Sequence, residues 1–174
     1  MKYELLKGDE FEKFYQILLN NFPSKEIKDY DYMKETFFNQ SYQVLCLKND
    51  QEQIVGVMSF YLSDDFRFID YFAIDGSFKG HGAGSSMLQH FISLDDKIVL
   101  LEVEHPGDLI SQRRIRFYQR NGMVLNDQYD YFVPPVRSLK HRLYFYLMSS
   151  SKGLSLDEYH KFYPQILKMV YGIV

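Results

Sequence analysis

The segment 67–92, RFIDYFAIDGSFKGHGAGSSMLQHFI, decides how this chain is interpreted, because a strand pattern, a glycine-rich turn and a helix pattern follow one another in it. Residues 67–74 are mostly apolar and β-favouring, and they end at the turn dipeptide Asp75-Gly76. Apolar residues recur at helical spacing over 87–92. A glycine turn before a helix N-terminus suits a phosphate or pyrophosphate, because free N–H groups and the positive helix dipole meet there. The glycines are Gly80, Gly82 and Gly84.

The spacing of these glycines separates the families that use such a loop. A P-loop needs a Gly-Lys pair followed by Ser or Thr, which the chain lacks, and a dinucleotide fingerprint needs a glycine where Ser85 or Met87 stands. The remaining pattern, Lys79-x-x-Gly82-x-Gly84, resembles the Arg/Gln-x-x-Gly-x-Gly/Ala pyrophosphate loop of the GCN5-related N-acetyltransferases (GNAT family). Lys79 departs from the first position of that pattern, but the backbone does most of the binding in such a loop.

This resemblance implies acetyl-CoA as the cosubstrate. The loop would bind its pyrophosphate, and backbone groups of the preceding strand would pair with its pantetheine arm and polarise the thioester carbonyl. Ser111 stands on a later helix where the family often has Asn. The predicted cofactor-binding residues are Phe72, Ala73, Ile74, Lys79, Gly80, His81, Gly82, Ala83, Gly84, Ser85 and Ser111.

Composition excludes several other classes of protein. With 174 residues the chain fits one domain, and a net charge of −3 gives no basic footprint for nucleic acid. The single Cys46 lies in an apolar run, which predicts a small core residue and excludes an intramolecular disulfide framework. The histidines show no metal-ligand spacing, so we expect no metal. Neither a signal peptide nor a membrane span is visible, and we therefore expect a cytoplasmic protein with no membrane partner.

The order of elements predicts an α+β fold. We expect a strand, two helices, a meander of three strands, the glycine loop and its helix, then a strand parallel to the one before the loop. A helix and two final strands follow, and this order resembles the GNAT fold, a mixed, mostly antiparallel sheet flanked by helices. Aromatic residues of the second helix either belong to the core or line an acceptor pocket. The predicted ranges are 2–7, a helix capped by Gly8 or Asp9, 24–39, 42–47, 53–62, 67–74, 97–104, 108–121, 123–133 and 142–148.

The resemblance covers roughly residues 1–150, which we predict to form the acetyltransferase domain. Residues 149–154, SSSKGL, have the composition of a linker. Ser155 and Glu158 form a capping box that opens a final helix, which Pro164 is expected to kink or interrupt. We expect the C-terminal extension, 151–174, to pack on the domain or on a partner subunit in a homodimer.

Two residues are predicted to carry proton transfer. The helix end around Tyr118 and Gly122 is similar to the family's Tyr-x-x-x-Gly segment, where the Tyr is the general acid. Glu102 and Glu104 alternate on a strand that is otherwise apolar, and desolvation there would suit a base. Leu101-Glu102-Val103 also resembles the Leu-Glu-Val of ribosomal-protein N-terminal acetyltransferases, which use that Glu as base. Alternatively, Tyr118 is a packing residue, both carboxylates bind a cationic substrate or lie at a solvated strand end, and water relays the proton.

The sequence therefore predicts an N-acetyltransferase that moves an acetyl group from acetyl-CoA to a primary amine of a small molecule or peptide. A non-catalytic acyl-CoA sensor on the same fold and a dinucleotide-binding oxidoreductase with a degenerate fingerprint are the alternatives. The oxidoreductase alternative is disfavoured because residues 76–79, GSFK, separate the strand from the glycine turn that begins at Gly80. In a dinucleotide-binding motif the strand runs directly into the turn.

Overall fold

Eight strands and five α-helices are formed by the residues that the computed structural model describes, 1–135 and 141–173. Short 3₁₀ turns precede α1, α2 and α3. None of the described helices is long and apolar enough to cross a membrane. In chain order the elements are β1 Lys2–Leu5, α1 Phe11–Asn21, α2 Tyr30–Phe37, β2 Tyr42–Lys48, β3 Ile54–Leu62, β4 Phe66–Ile74, α3 Ala83–Ile92, β5 Ile98–Glu104, α4 Leu109–Arg120, β6 Met123–Asn126, β7 Phe132–Val133, β8 Leu143–Ser150 and α5 Leu156–Tyr171.

The chain forms two compact units that share strand β4. The first unit holds Met1–Asp64 and Ile69–Leu94, and the second holds Asp65–Phe68 together with the described residues from Asp95 onward. In the first unit β1 pairs antiparallel with β2, β2 pairs antiparallel with β3, and β4 is hydrogen-bonded to β3. Nearly every side chain of β2 and β3 is buried, because helices cover this sheet. Cys46 is among these buried residues, as its apolar run predicted.

In the second unit the parallel pairing predicted across the glycine loop and its helix is confirmed. Residues 66–68 of β4 pair with residues 98–100 of β5 in parallel register. On its other edge β5 pairs antiparallel with β8, and β8 also pairs antiparallel with β6 and β7. The fold is therefore α+β with a mixed sheet, as the order of elements predicted.

Three predicted boundaries are wrong for local reasons. α2 begins at Tyr30 rather than at residue 24, because the Asp29 side chain caps it by accepting the Tyr32 N–H at 2.9 Å. The strand predicted over 123–133 is two strands, β6 and β7, which pair with opposite ends of β8. The cap of α1 is Glu10, since residues 8–10 form a 3₁₀ turn.

The predicted linker over 149–154 is also wrong at its start. Ser149 and Ser150 end strand β8 and are buried, and the Ser150 hydroxyl accepts the backbone N–H of Val99 at 2.8 Å. The predicted capping box of α5 is confirmed, and Pro164 lies inside that helix without interrupting it.

Candidate active site

The glycine loop leads directly into the N-terminus of α3. Gly82 is the N-cap of the helix with φ +79°, and Gly80 has φ +81°, conformations that side chains rarely adopt. A Cβ atom built on either glycine would meet no atom within 4 Å, so open space lies beside both. The first helical bond runs from the Ser86 N–H to the Gly82 carbonyl at 3.0 Å. The preceding N–H groups therefore have no partner within the helix.

These residues fit an anionic group. Lys79 and His81 are exposed, and Ala83, Gly84 and Ser85 are half-buried. The first turn of α3 carries no acidic side chain, so nothing in it repels a negative charge. The helix itself is anchored by side chains that are fully buried, namely Met87, Leu88 and Phe91.

The predicted pantetheine strand packs closely on β3. A Cβ atom on Gly56 would lie 2.6 Å from Ile74 Cδ1 and 3.2 Å from the Ala73 carbonyl oxygen. A side chain at position 56 would press on the Ala73 carbonyl, so glycine suits this close approach. The Asp75 N–H donates to the Val55 carbonyl at 2.8 Å, which fixes the strand end where the loop begins. Phe72, Ala73 and Ile74 thus lie on a firmly positioned segment.

A cation lies beside Asp70 on the same strand. The Lys28 ammonium is 3.6 Å from Asp70 Oδ2 and donates to the Tyr61 hydroxyl at 3.0 Å. The Tyr42 hydroxyl donates to Asp70 Oδ2 at 2.9 Å, and the Tyr32 ring lies 5.4 Å from the Lys28 ammonium. Asp70 is therefore already neutralised within the first unit. Tyr30, Tyr32 and Phe38 are exposed, so the core interpretation fails for these aromatic residues of the α2 region.

In the second unit Glu102 is held by two phenols. Tyr131 donates to Glu102 Oε2 and Tyr171 donates to Oε1, each at 2.6 Å. Tyr131 is only 1% exposed and follows β6, whereas Tyr171 is the last residue of α5. Burial and the neighbouring Glu102 charge raise the pKa of Tyr131 well above its ordinary value, so its hydroxyl remains a donor.

Glu104 points to the same side of β5 but has a different environment. It is exposed, and its Oε2 accepts the Ser111 hydroxyl at 3.3 Å. The Ser111 N–H donates to Asp108 Oδ1 at 2.7 Å, which caps α4 and lowers the pKa of Asp108. Ser111, a predicted cofactor contact, is thus buried between Asp108 and Glu104.

Tyr118 lies on α4 and is buried, with 9% of its surface exposed. Its hydroxyl makes no hydrogen bond to another described residue. Burial raises the pKa of Tyr118 to about 12, while the nearby Arg114 charge opposes that shift. A phenol in this state stays protonated at neutral pH and can give its proton to a leaving group.

Two of the five histidines stack on tyrosines of their own unit. His90 stacks on Tyr3 with ring centroids 3.8 Å apart, and His105 stacks on Tyr146 at 4.0 Å. Within the ranges 1–135 and 141–173, no three His, Cys, Asp or Glu side chains are grouped to hold a metal ion.

Sequence reasoning singled out Glu102, Glu104, Ser111 and Tyr118, which all lie in the second unit. It missed Tyr131 and Tyr171, which contact Glu102 from 29 and 69 residues away in sequence. No local motif marks either phenol. Both lie outside the segments that carry the family pattern.

The sequence model of the acetyltransferase (GNAT) family matches residues 11–123. A comparison with curated proteins finds no match.

Solved structures resemble the chain over most of its length. A GNAT-family protein from Bacteroides thetaiotaomicron, assigned as an acetyltransferase, superposes with a TM-score of 0.86 at 23% identity over 100% of both chains. A variant of the spermidine N-acetyltransferase from Vibrio cholerae has a TM-score of 0.61 at 11% identity over 85% of this chain and 91% of that one. The ribosomal-protein-S18-alanine N-acetyltransferase from Escherichia coli has a TM-score of 0.61 at 15% identity over 88% and 95%.

These structures share the fold, and the family match spans more than half of the sequence. The protein therefore belongs to the GNAT acetyltransferase family and has its fold.

Proposed function

We propose that this protein transfers the acetyl group of acetyl-CoA to a primary amine of a small molecule or peptide by direct attack of the amine. The observation that carries the proposal is the open glycine loop at the N-terminus of α3, in a chain of the GNAT family. Acetyl-CoA would supply an acetyl group activated as a thioester.

The first unit carries the groups that would hold this cosubstrate. The free N–H groups at Ala83, Gly84 and Ser85 suit a pyrophosphate, and the exposed Lys79 adds a positive charge. Gly80 and Gly82 leave open space beside the loop, and His81 lies exposed between them. The backbone of Phe72, Ala73 and Ile74 would pair with the pantetheine arm and polarise the thioester carbonyl.

The second unit carries the groups that would move protons. Glu102 takes a proton from the acceptor ammonium, which frees the nitrogen lone pair to attack the carbonyl carbon. As the carbon–sulfur bond breaks, Tyr118 gives its phenolic proton to the departing sulfur. The raised pKa of Tyr118 supports the second role, since the phenol is protonated at neutral pH. Nitrogen loses a second proton as the amide forms, and water carries this proton to the Tyr118 phenolate. Glu102 passes its own proton to water, so both residues return to their starting states and the net reaction releases one proton.

The cosubstrate is tested by thermal unfolding with acetyl-CoA, CoA, NAD or ATP. A ligand at 100 times its Kd adds about 2.7 kcal/mol to the free energy of unfolding. We expect this gain with acetyl-CoA and CoA, and its loss in a Gly82→Trp, Gly84→Trp variant. Gly107→Trp is the control, because Gly107 is exposed and lies between β5 and α4.

Two other outcomes of the thermal unfolding experiment would contradict the proposal. Stabilisation by NAD alone would contradict the assignment of the loop and favour the dinucleotide alternative. No shift with any ligand would indicate a domain that kept the fold without the binding site.

The acceptor is best sought among amines of two kinds. Proteins with a similar fold include a spermidine N-acetyltransferase and a ribosomal-protein alanine N-acetyltransferase. Polyamines and peptides with a free N-terminal amine therefore form the first panel, with release of free CoA thiol as the readout. The predicted homodimer, cytoplasmic location and absence of nucleic-acid and membrane partners stay predictions.

A further inference from the structure

The C-terminal helix makes a contact that its place in the sequence does not suggest. Tyr171, the last residue of α5, donates to Glu102 Oε1, while Tyr131 donates to Oε2 of the same carboxylate. Both oxygen–oxygen distances are 2.6 Å, which is the length of a charge-assisted bond from a hydroxyl to a carboxylate. Each oxygen of Glu102 thus has its own phenol donor.

Both phenols are held in place by their surroundings. The Tyr131 ring is almost fully buried and packs edge-to-face on Tyr163, at a centroid distance of 5.3 Å. The Tyr163 hydroxyl in turn donates to the Phe132 carbonyl. Two turns later on the same helix, Tyr171 is half-buried.

Helix α5 is itself anchored to the start of β4. Phe162 packs edge-to-face on Phe66, with centroids 5.2 Å apart. Lys161 and Gln165 both bond to Asp65, at 2.8 Å and 3.3 Å. These contacts fix the position of the helix along the second unit, so Tyr171 is presented to Glu102 by a rigid element.

This arrangement suits a proton acceptor. An ionised carboxylate offers about four lone-pair sites, and the two phenols occupy one on each oxygen. Hydrogen bonds to the charged form stabilise it, and fixing both oxygens restricts the carboxylate to one orientation.

We propose that Tyr131 and Tyr171 are positioning residues that orient and keep ionised the base Glu102, so that α5 is a working part of the active site. The proposal rests on the proposed function, in which Glu102 takes the proton. It differs from the expectation that α5 only packs on the domain or on a partner.

The first test titrates Glu102 directly by carboxyl-carbon NMR, with its resonance assigned by Glu102→Gln. Tyr171→Phe removes one donor and keeps the ring, so the midpoint of Glu102 should rise by about one pH unit, a tenfold change in proton affinity. Tyr159→Phe is the matched control, because Tyr159 lies on the same helix and Glu102 is not among the groups that influence the pKa of its phenol. In this control the titration midpoint of Glu102 should equal that of the wild type. An unchanged midpoint in Tyr171→Phe overturns the proposal.

The second test measures turnover with acetyl-CoA and a reactive amine from the panel. In Tyr171→Phe we expect the acidic limb of the kcat profile to move by about one unit to higher pH, so that kcat falls about tenfold on that limb and approaches the wild-type value at higher pH. The KM for acetyl-CoA should not change, because the glycine loop is untouched. Tyr131→Phe should move the limb in the same direction, and Tyr159→Phe should not move it.

Different results would contradict the role of Glu102 as base and the positioning role of its two phenol donors. If Glu102→Gln retains full turnover, the base assignment in the proposed function is wrong. If Glu102→Gln is inactive while Tyr171→Phe keeps the wild-type pH profile, only the positioning role is wrong. Thermal unfolding of each variant separates loss of the fold from loss of the contact.

Discussion

At the scale of single residues, Tyr118 is distinguished by the burial of its phenol. It is a buried phenol whose pKa is raised to about 12, first by desolvation. Tyr159 has the same character, since burial raises its pKa to about 12 as well. The two residues therefore allow a chemical role to be separated from a packing role.

We predict that Tyr118→Phe lowers kcat by 10²- to 10⁴-fold, the range typical for loss of a general acid. Binding of acetyl-CoA should be retained, because the substitution removes no group of the loop. The measurement is turnover with the amine panel, together with the thermal shift given by acetyl-CoA.

Tyr159→Phe is the control for this prediction and should keep wild-type turnover. If Tyr118→Phe and Tyr159→Phe are equally active, Tyr118 is a packing residue. In that case a non-catalytic acyl-CoA sensor becomes the better description, provided that no amine in the panel is acetylated by the wild type.

The sequence identifies candidate site residues where a motif is local. The glycine loop, the helix around Tyr118 and the strand that carries Glu102 are each continuous segments, so spacing alone locates them. The partners of Glu102 are not predictable in this way. Tyr131 and Tyr171 reach it through strand pairing and helix packing, and a phenol in an apolar segment looks like any other core residue.

At the scale of elements, the end of β8 shows why a composition rule failed. Serines and a glycine over 149–154 are typical of a linker, yet Ser149 and Ser150 are buried strand residues. Both hydroxyls have hydrogen-bond partners, since Ser150 accepts the Val99 N–H and Ser149 accepts from the Asn126 side chain at 3.0 Å. Composition records polarity, whereas burial depends on whether each polar group finds a partner.

We predict that Ser150→Ala lowers the free energy of unfolding by about 1–3 kcal/mol, because it leaves the buried Val99 N–H without its acceptor. Ser24→Ala is the control, since Ser24 is exposed at the start of a 3₁₀ turn, and it should stay within about 0.5 kcal/mol of the wild type. Urea unfolding measures both. Equal stability of the two variants would show that water or another group can satisfy Val99.

Capping and strand pairing also explain the other wrong boundaries in the sequence-based prediction. Polar residues over 24–29 allow a helix by propensity, but the Asp29 side chain caps α2 there and fixes its start. The pattern over 123–133 is apolar enough for one strand, and pairing with β8 divides it into β6 and β7. Strand pairing and capping thus decided the boundaries that hydrophobic periodicity left open.

At the scale of the whole molecule, buried phenols govern how the fold responds to alkali. Desolvation is the main cause that raises the pKa of several tyrosines above their ordinary value of 10. They occur in both units, with Tyr42 and Tyr71 in the first and Tyr118, Tyr131 and Tyr159 in the second. Each is neutral in the folded state at a pH where the unfolded chain has lost the same proton.

A raised pKa in the folded state gives stability that is complete below the unfolded value and declines as the pH rises above it. With five such phenols the loss approaches about 7 kcal/mol per pH unit above pH 10, since each contributes at most about 1.4 kcal/mol per unit. A stability of about 5–15 kcal/mol is then exhausted near pH ~11 to 12.

We therefore predict constant stability from neutrality to about pH 9 and steep unfolding near pH ~11 to 12, accompanied by the release of buried tyrosinate. Tyrosinate absorbance and far-ultraviolet circular dichroism, followed together as the pH rises, measure the two events. They should coincide for the buried phenols, because these groups ionise only when the fold opens. If all fifteen tyrosines ionise near pH 10 while the dichroism of the native state persists, the buried phenols are in contact with water and the desolvation argument fails.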